Sequence, residues 1–378
     1  MVKFLLQFRK KFSNYVKLLR LRPKIRKLYN KTYTNHSKPF KEVWNDLWGL
    51  MKSGLASRNC LIQYFQFHLQ YKGARIEDYV FYNEWFSQAE PVRIWAKDEC
   101  RILASKADTT KHLSLHEIRH PKCYGILTKE ETGFLCINGT EVTDLTDLLK
   151  HEKNLFVKPS DGMQGKGCFS LQYVNDTTCL ANGKQLDFSE LADLLETGYI
   201  VEESVKNHPD IDKIYPLSLN TLRMITMRDT EGKCHFIAGI HRFGANGNRV
   251  DNTHQGGLAI GINAETGEYK EIAYYNDPTK ATDRHPDTGF VFQGNKIPFF
   301  KEAVALAIKA HESLPRLQAI GWDIAITPTG PLVIEGNHNF SFEGIQARVL
   351  PLRHHFNSML VPYSKAVQEG NLPWSGCK

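Results

Sequence analysis

Glycine and lysine are concentrated in the stretch "LFVKPSDGMQGKGCFSLQYV", residues 155 to 174, which lies between two apolar runs. A P-loop would place Gly-Lys-Ser/Thr at the start of a helix, but here Lys166-Gly167 is followed by Cys168 and a second extended run. The pattern therefore predicts a hairpin flap. Its glycines would let backbone N–H groups approach phosphate oxygens, and Lys158 on the first strand would add a positive charge. A flexible turn without a ligand is the alternative on this stretch alone, because glycine is common in turns.

Acidic side chains occur at the ends of other apolar runs. "YIVEESV" ends in Glu202 and Glu203, carboxylates that suit a ribose hydroxyl or an exocyclic amine. "GWDIAITPTGPLVIEGNHN" predicts a hairpin with Asp323 on one strand and Glu335 and Asn337 on the other. Because strand positions two apart point the same way, this hairpin puts three oxygen ligands on one face, which suits Mg²⁺ with nucleotide phosphates. A solvated hairpin is the less favoured alternative, since unpaired charge within apolar strands is costly.

A polar loop, "HRFGANGNRVDNTHQGG", separates the apolar runs "FIAGI" and "LAIGI". Such loops often carry binding residues, and this one predicts contacts to a substrate carboxylate or amine. A solvent-exposed hairpin tip is the alternative. The candidate side chains are His241, Arg242, Arg249, Asp251, Asn252, His254 and Gln255.

Two regions with different predicted secondary structure must position these residues. Segments such as "EVWNDLWGLMKSGL" and "LIQYFQFHLQYKG" predict packed helices from residue 42 to about 120. After His120-Pro121, short apolar strands alternate with capped helices, which predicts an α/β or α+β body.

The N-terminal arm carries the positive charge of the chain. Residues 1 to 41 contain thirteen Lys and Arg residues and no acid, whereas acids outnumber bases in the rest of the chain. Aromatic and aliphatic residues recur there at helical spacing, opposite Lys10, Lys17 and Arg20, so the arm reads as a basic amphipathic helix. This helix would lie on an anionic membrane surface or bind a partner. The alternative is that its apolar stripe packs on the protein while its charged side chains face solvent. Nucleic acid is disfavoured, because the remaining chain is mildly acidic and lacks a recognition motif.

The composition is that of a soluble protein with two or three domains' worth of structure, at 378 residues and 42% hydrophobic. Its eight cysteines form no CxxC pair and no Cys/His cluster, which predicts neither zinc nor a disulfide framework and favours a reducing compartment. No run reaches the roughly 18 apolar residues of a membrane span, and charges interrupt any signal peptide. We therefore expect a cytoplasmic protein, with peripheral contact to the inner membrane face through the basic helix as a further expectation.

The order of these motifs resembles the ATP-grasp superfamily: a lysine, "FVKP" with a glycine-rich flap, "VEE", an Asp strand and "IEGN". More narrowly, "SLNTLRMIT", "HRFGANGNRVDNTHQGGLAIGIN" and "GWDIAITPTGPLVIEGN" resemble the sugar-transfer-associated branch, which is related to glutamate ligases. The resemblance covers about residues 100 to 350. Ligases of this superfamily usually carry an α/β domain ahead of these motifs, whereas residues 42 to 100 look helical, so the resemblance does not identify the acceptor.

The resemblance implies an α+β, ATP-grasp fold in which two subdomains clasp ATP, with a helical N-terminal region. The implied organisation is a basic amphipathic helix at 1–41, a helical region at 42–105, subdomain 1 with the flap at 106–205, subdomain 2 with the magnesium and substrate sites at 206–365, and a tail at 366–378.

The resemblance also implies a role for each site residue. Lys158 matches the second lysine on the α/β-phosphates, and Lys106 the first, with Lys97 as the alternative. The implied flap is Ser160, Gly162, Gln164, Gly165, Lys166 and Gly167, and the adenine and ribose contacts are Glu202, Glu203 and Val205. Asp323, Glu335 and Asn337 match magnesium ligands, and Arg223, Lys158 and Arg242 form the catalytic group. The substrate group is Asn220, His241, Arg242, Asp251, Asn252, His254 and Gln255.

This combination suits an ATP- and Mg²⁺-dependent ligase that joins a carboxylate to an amine through an acyl phosphate. Such an enzyme needs positioning and charge neutralisation but no covalent nucleophile, and the sequence has no Gly-x-Ser-x-Gly elbow. We expect small-molecule substrates, such as an amino acid and a sugar acid in surface-polysaccharide synthesis. Two alternatives are a kinase acting on a small-molecule or sugar hydroxyl and a nucleotide-binding scaffold without activity, which the intact set of metal-ligand residues disfavours.

Overall fold

Helices precede two antiparallel sheets in this chain. The computed structural model describes residues 19–53, 60–130, 133–160, 167–277, 279–374 and 376. Among these residues, helices and antiparallel strands are combined in an α+β fold as predicted, and the N-terminal region is helical as predicted.

The N-terminal helices pack around their own apolar core. Helix α2 buries Val43, Leu47 and Leu50 at i, i+4 and i+7, and these contact Phe65 and Phe67 from the following segment. The helices are α1 at 19–32, α2 Phe40–Ser53, α3 Cys60–Gln66, α4 Tyr82–Trp95, α5 Lys97–Ala104 and α6 Lys106–Leu115.

Helix α1 is amphipathic where it is described. Ile25, Tyr29 and Thr32 are buried at i, i+4 and i+7, and the basic side chains between them are exposed. Residues 1–18, with most of the predicted apolar stripe, lie outside the described part of the chain. Within that part no helix combines the length and the apolar character needed to cross a bilayer.

The first sheet has eight strands in the order β3-β2-β1-β8-β4-β5-β6-β7, and each neighbouring pair is antiparallel. Its buried face packs on helices α7, Leu145–Glu152, and α8, Phe188–Leu194. The predicted flap joins β4 to β5, which pair as a hairpin from Val157↔Phe169 outwards. The strands are β1 Cys123–Glu130, β2 Gly133–Asn138, β3 Glu141–Asp144, β4 Asn154–Pro159, β5 Phe169–Tyr173, β6 Thr178–Ala181, β7 Lys184–Asp187 and β8 Tyr199–Glu203.

The second sheet has seven strands in the order β13-β12-β11-β10-β9-β14-β15, also antiparallel. Helices α9, Pro209–Asp212, and α10, Phe300–Glu312, flank it, and α10 buries Ala303, Ala307 and Ala310. The strands are β9 Thr221–Arg228, β10 Cys234–Phe243, β11 Leu258–Ile262, β12 Tyr269–Tyr275, β13 Ala281–Thr282, β14 Ala319–Thr327 and β15 Gly330–Asn337.

The C-terminal segment packs on the second sheet. Its helices are α11 Glu343–Gln346, α12 Arg353–His355, a π-helical turn at Phe356–Leu360 and α13 Val361–Gln368. Helix α13 runs across the domain boundary predicted at 365. Trp374 then donates a hydrogen bond from Nε1 to the Pro315 carbonyl at 3.2 Å and lies under the Arg228 guanidinium. The predicted tail is therefore docked through Trp374, because an indole ring gains more by burial than by exposure.

Candidate active site

A cavity of about 1150 Å³ is lined by both sheets. Lys158 and Glu202 reach it from the first sheet, and Arg223, Asp323 and Glu335 reach it from the second. It thus brings together residues from four of the motifs that the sequence singled out.

On the first sheet, Lys158 is held by an acidic neighbour. Its Nζ lies 2.7 Å from Glu202 Oε2, and both side chains are buried. A buried lysine keeps its charge only when it is paired, so this contact fixes the ammonium at the cavity wall. The carboxylate that we assigned to adenine or ribose is therefore engaged by Lys158, while Glu203 and Val205 are half-buried farther along the same wall.

Lys106, not Lys97, lines the cavity. It is the first residue of α6, whose N-cap Ser105 accepts a hydrogen bond from the Asp108 N–H at 3.2 Å. The Lys106 N–H donates to the Ser160 carbonyl at 3.3 Å, which ties the start of this helix to the base of the flap. Lys97 begins α5 with an exposed side chain.

The flap is described only at its two ends. Ser160 donates its hydroxyl proton to the Gly198 carbonyl, and Gly167 has a φ of 73°, a left-handed conformation that glycine adopts without strain. The other predicted flap residues, Gly162, Gln164, Gly165 and Lys166, lie outside the described residues.

Three of the predicted site residues lie opposite one another on neighbouring strands of the second sheet. Arg223 on β9 pairs with Asp323 on β14, which pairs with Glu335 on β15. Directly opposed residues of antiparallel strands point to the same face, so all three side chains face the cavity. The ladder is irregular between Asp323 and Ile324, where β15 accommodates the additional residue Ile334.

Asp323 receives two guanidinium groups. Arg223 donates from Nε at 2.5 Å and from Nη2 at 3.0 Å, one bond to each carboxylate oxygen, and Arg242 Nη2 lies 3.0 Å from Oδ2. Burial works against the charge of Asp323, but the two arginines outweigh it and lower the pKa of this carboxyl below its usual value. Asp323 is therefore an anion at neutral pH and holds both arginines at the cavity face.

Arg242 also contacts a second acid, Asp251. Its Nε lies 3.5 Å from Asp251 Oδ2, and its Nη2 donates to the Thr221 hydroxyl. The same Asp251 oxygen accepts from the Thr221 N–H at 2.9 Å and from the Thr221 hydroxyl at 2.6 Å. Burial raises the pKa of Asp251, and Arg242 and Thr221 oppose this shift. Arg242 thus lies between an acid with a lowered pKa and one with a raised pKa.

Glu335 and Asn337 have unused capacity for a ligand. Glu335 forms no hydrogen bond or ion pair with another described residue, and burial together with the nearby Asp323 raises its pKa. Asn337 Nδ2 is buried without a hydrogen-bond partner. Two carboxylates and an amide oxygen on one face form a donor set that fits Mg²⁺. The described part of the chain contains no cluster of three His, Cys, Asp or Glu side chains that could hold a metal.

Two residues of the predicted substrate group lie in the core. The His241 ring is buried, with Nδ1 2.8 Å from the Tyr269 hydroxyl, and Asn220 Nδ2 donates to the Tyr215 carbonyl at 2.6 Å. Strand alternation is the physical reason, because Arg242 and Thr221 face the cavity and their sequence neighbours therefore face the other way. The structure thus corrects their placement among substrate contacts.

Most of the other members of that group line the cavity. Arg242, Asp251, Asn252 and the exposed His254 line the cavity, whereas Gln255 does not. Sequence reasoning missed Thr221, which links Arg242 to Asp251, although its position two residues before Arg223 on one strand was a usable signal. It also missed a wall formed by Ile62, Gln63, Gln66, His68 and Arg348, for which no motif gave a signal.

Several solved structures match this chain at low similarity. N5-carboxyaminoimidazole ribonucleotide synthetase from Thermotoga maritima is 14% identical with a TM-score of 0.39, and the match covers 74% of this chain and 52% of that one. D-alanine–D-alanine ligase from Bacillus anthracis is 14% identical with a TM-score of 0.37, covering 71% and 67%. L-amino acid ligase from Bacillus licheniformis is 11% identical with a TM-score of 0.38, covering 71% and 48%. The match to the first of these spans about half of that protein's length.

Family membership follows from a separate comparison. Among curated proteins, no sequence matches this chain. A family model described as sugar-transfer associated ATP-grasp matches residues 92–354, which is more than half of the chain and includes every described residue of the cavity's charged end. The chain therefore belongs to the sugar-transfer associated ATP-grasp family.

Proposed function

We propose that this protein is an ATP-dependent ligase that joins a carboxylate to an amine through an acyl phosphate. The observation that carries the proposal is the convergence of Arg223 and Arg242 on Asp323, beside Glu335 and in the same cavity as Lys158. A transferring phosphoryl group gathers negative charge on its oxygens, and preorganised cations stabilise that charge. Family membership supplies the expectation of ATP as the phosphoryl donor.

The proposed reaction has two balanced steps. An oxygen of the substrate carboxylate attacks the γ-phosphorus of ATP, the bond to the bridging oxygen breaks, and ADP leaves. The amine nitrogen then attacks the carbonyl carbon of the acyl phosphate, inorganic phosphate leaves, and the nitrogen loses a proton. Lys158 and Lys106 would bind the phosphates, and Arg223 and Arg242 would orient the transferring group and balance its charge.

Asp251 is the base that we assign to the amine proton. Its Oδ1 accepts no hydrogen bond from another described residue, while Oδ2 is fixed by Thr221. Because burial raises the pKa of Asp251, its carboxylate is a better proton acceptor than an ordinary aspartate. Arg242 beside it opposes this shift by favouring the ionised form.

Asp323, Glu335 and Asn337 would hold Mg²⁺. When bound, the ion would neutralise phosphate charge and orient the γ-phosphoryl group.

We further propose that the carboxylate belongs to a sugar acid and the amine to an amino acid or a similar compound, in surface-polysaccharide biosynthesis. The sugar-transfer association of the family supports this choice. The test measures ADP release by the purified protein when it is given one amino acid and one uronic acid together. Mass spectrometry then determines the masses of the products. The expected product is the sum of both substrates less one water. A gain of one phosphate on a single substrate would instead identify a kinase, and no ADP release with any pair would contradict both activities.

We propose that helix α1 contacts an anionic membrane surface. Six of its basic side chains are exposed, and residues 1 to 41 contain no acid to neutralise them. Clustered lysines and arginines bind anionic lipid in a salt-sensitive way. The exposed side chains are Arg20, Arg22, Lys24, Arg26, Lys27 and Lys31.

Vesicle sedimentation tests this contact without removing the helix, whose Ile25 and Tyr29 are part of the core. Replacing Arg20, Lys24 and Lys27 by Gln should weaken binding to vesicles with phosphatidylserine, and raised salt should weaken wild-type binding too. The control replaces three exposed lysines elsewhere by Gln, namely Lys184, Lys296 and Lys301. Equal loss in both triple variants would contradict a specific role of α1.

A further inference from the structure

An arginine without an acidic partner lies on the cavity wall, at Arg348. Its Nη1 donates to the Gly344 carbonyl at 3.2 Å and its Nη2 to the Tyr275 carbonyl at 3.0 Å. No carboxylate of the described residues forms an ion pair with it, in contrast to Arg223 and Arg242. Burial lowers the pKa of Arg348 to about 10, which reflects a cation removed from water without an anion to compensate it.

The carboxylate closest in sequence, Glu343 on α11, is engaged elsewhere. Its Oε1 accepts from Gln63 Nε2 at 3.0 Å, and its Oε2 accepts from the Ser341 hydroxyl at 2.8 Å. Both oxygens are thus oriented by other residues. Glu343 is engaged by Gln63 of the N-terminal helical region and by Ser341, and it forms no ion pair with Arg348.

Arg348 is separated from the charged face that surrounds Asp323. Its Nη2 contact is at the end of β12, which is three strands from β9 in the sheet order. Three strand spacings amount to about 14 Å, so one small anion does not bridge Arg348 and Arg223. Arg348 is therefore a separate cation of the cavity. Unlike Arg223, Arg242 and Lys158, it forms no ion pair with a carboxylate of the described residues.

Two aromatic side chains, His68 and Tyr274, lie near Arg348. The His68 ring lies 5.1 Å from the Tyr274 ring and stacks on Tyr71 at 5.8 Å, and both His68 and Tyr274 line the cavity. The amide side chains of Gln66 and Asn276 also line the cavity. Flat rings together with amides can contact the carbon face and the hydroxyls of a sugar, while a guanidinium matches a carboxylate or phosphate through paired N–H groups.

We propose that Arg348 binds an anionic group, carboxylate or phosphate, on a sugar substrate, at a subsite that the N-terminal helical region completes. The proposal rests on the ligase function above, because it concerns the substrate other than ATP. Arg348 is half-buried, and a cation partly removed from water without a counterion costs stability. A ligand anion would offset that cost only when it is bound.

Matched sugars test the subsite by binding alone. Calorimetry with the full chain, with Mg-ADP present at saturation to fill the nucleotide end, compares glucosamine 6-phosphate with glucosamine and glucuronic acid with glucose. We expect wild type to bind one charged sugar at least about 10-fold more tightly than its neutral counterpart, as a charged hydrogen bond provides. The pair that shows the preference tells phosphate from carboxylate. Absence of a preference in both pairs would overturn the proposal.

Variants assign the preference to Arg348. Arg348→Gln should abolish the discrimination, and Arg348→Lys should retain part of it. The control is Lys270→Gln, a cation beside the same segment that donates to the Val349 carbonyl but does not line the cavity, and it should change nothing. If Arg348→Gln keeps the preference, or weakens both sugars equally with a fall in melting temperature, Arg348 merely joins α11 to β12 and the proposal is wrong.

The binding test and the ligase test fail separately. Loss of discrimination in Arg348→Gln without ADP release from any substrate pair would leave the subsite intact and contradict the ligase function. ADP release by wild type that does not discriminate between charged and neutral sugars would leave the ligase function intact and contradict the subsite.

Discussion

The two faces of the second sheet have the same backbone but opposite contents. Where β9, β10, β14 and β15 line the cavity, one face carries paired charges, and the other face carries the largest apolar core cluster among the described residues. Adjacent residues such as Leu222 and Arg223, or Trp322 and Asp323, therefore serve different ends. The cavity-facing residues are Thr221, Arg223, Arg242, Asp323 and Glu335, and the core-facing ones are Leu222, Met224, Trp322, Ile324 and Val333.

Polar groups on the two faces are also handled differently. On the cavity face, Arg223, Arg242 and Asp323 remain charged because they neutralise one another. On the core face, His241 is uncharged and its nitrogens face the Tyr269 hydroxyl and the Asn220 carbonyl. The comparison teaches that the cavity face keeps charges in mutually neutralising pairs. On the core face, the imidazole of His241 is neutral and the guanidinium of Arg228 is satisfied by backbone carbonyls.

The largest expected effect comes from the cavity face at Glu335. Glu335→Gln should lower ATP turnover by about 10³-fold or more, because it removes a charged oxygen ligand next to the phosphates. Stability should not fall, since burial and Asp323 raise the pKa of Glu335 and its charge is therefore a cost to the fold at neutral pH. Turnover and melting temperature are measured on one preparation. Exposed Glu271→Gln is the control, and a matching loss of melting temperature in Glu335→Gln would contradict the separation of the two faces.

On the core face, Ile324→Ala should do the opposite. Ile324 is fully buried beside Asp323 in sequence, so the truncation leaves a cavity and should lower the free energy of unfolding by about 2–5 kcal/mol. Turnover per folded molecule should stay within a few-fold of wild type. Urea unfolding and kcat are the measurements, with the exposed Ile94→Ala as the control. A loss of kcat as large as that in Glu335→Gln would show that the core face also shapes the reaction.

Arg223→Lys tests whether the Arg223–Asp323 pair serves the reaction or merely the sheet. Lysine keeps the charge but loses the planar pair of donors that contacts both Asp323 oxygens. We expect kcat to fall by about 10²-fold and ATP affinity to change only a few-fold, the pattern of a contact used in the transition state.

Arg119→Lys is the matched control for that variant. Arg119 also makes two hydrogen bonds, to the Thr329 carbonyl and hydroxyl at the β14–β15 turn, but it lies outside the cavity. The Arg119→Lys variant should lose some stability at most. Activity lost in Arg223→Lys only in proportion to folded protein would assign Arg223 to the sheet.

Sequence reasoning identified what depends on local pattern. The β14–β15 hairpin places Asp323, Glu335 and Asn337 on one face, as the alternation in "GWDIAITPTGPLVIEGN" predicts, and Val157 and Phe169 pair at the base of the predicted flap hairpin. Both predictions needed only spacing within one hairpin.

What the sequence did not indicate depends on contacts between distant segments. Gln63 donates to Glu343 across 280 residues of sequence, and no local pattern indicates this contact. The polar stretch that begins with His241 and Arg242 predicts that both side chains contact substrate. Both residues lie on β10, however, where adjacent side chains face opposite ways. Applying the two-residue period to that strand would have separated them.

The smallest expected effect is on the pH dependence of stability, and it comes from that same histidine. Burial lowers the pKa of His241 to about 3, far below the ordinary value of 6.5. Between these two values the unfolded chain binds a proton that the folded chain excludes, so the free energy of unfolding falls as pH decreases from about 6.5 towards 3. One such group contributes a slope of about 1.4 kcal/mol per pH unit. His311, with a pKa likewise lowered to about 3 by burial, adds a second contribution of the same sign.

Urea midpoints recorded at a series of pH values between 4 and 6 should therefore give a steep dependence of stability on pH in wild type. In His241→Asn this slope should be smaller by the contribution of about one proton. Exposed His36→Asn should leave the slope as it is. An unchanged slope in His241→Asn would mean that His241 takes up its proton within the fold, and that the core face tolerates charge as the cavity face does.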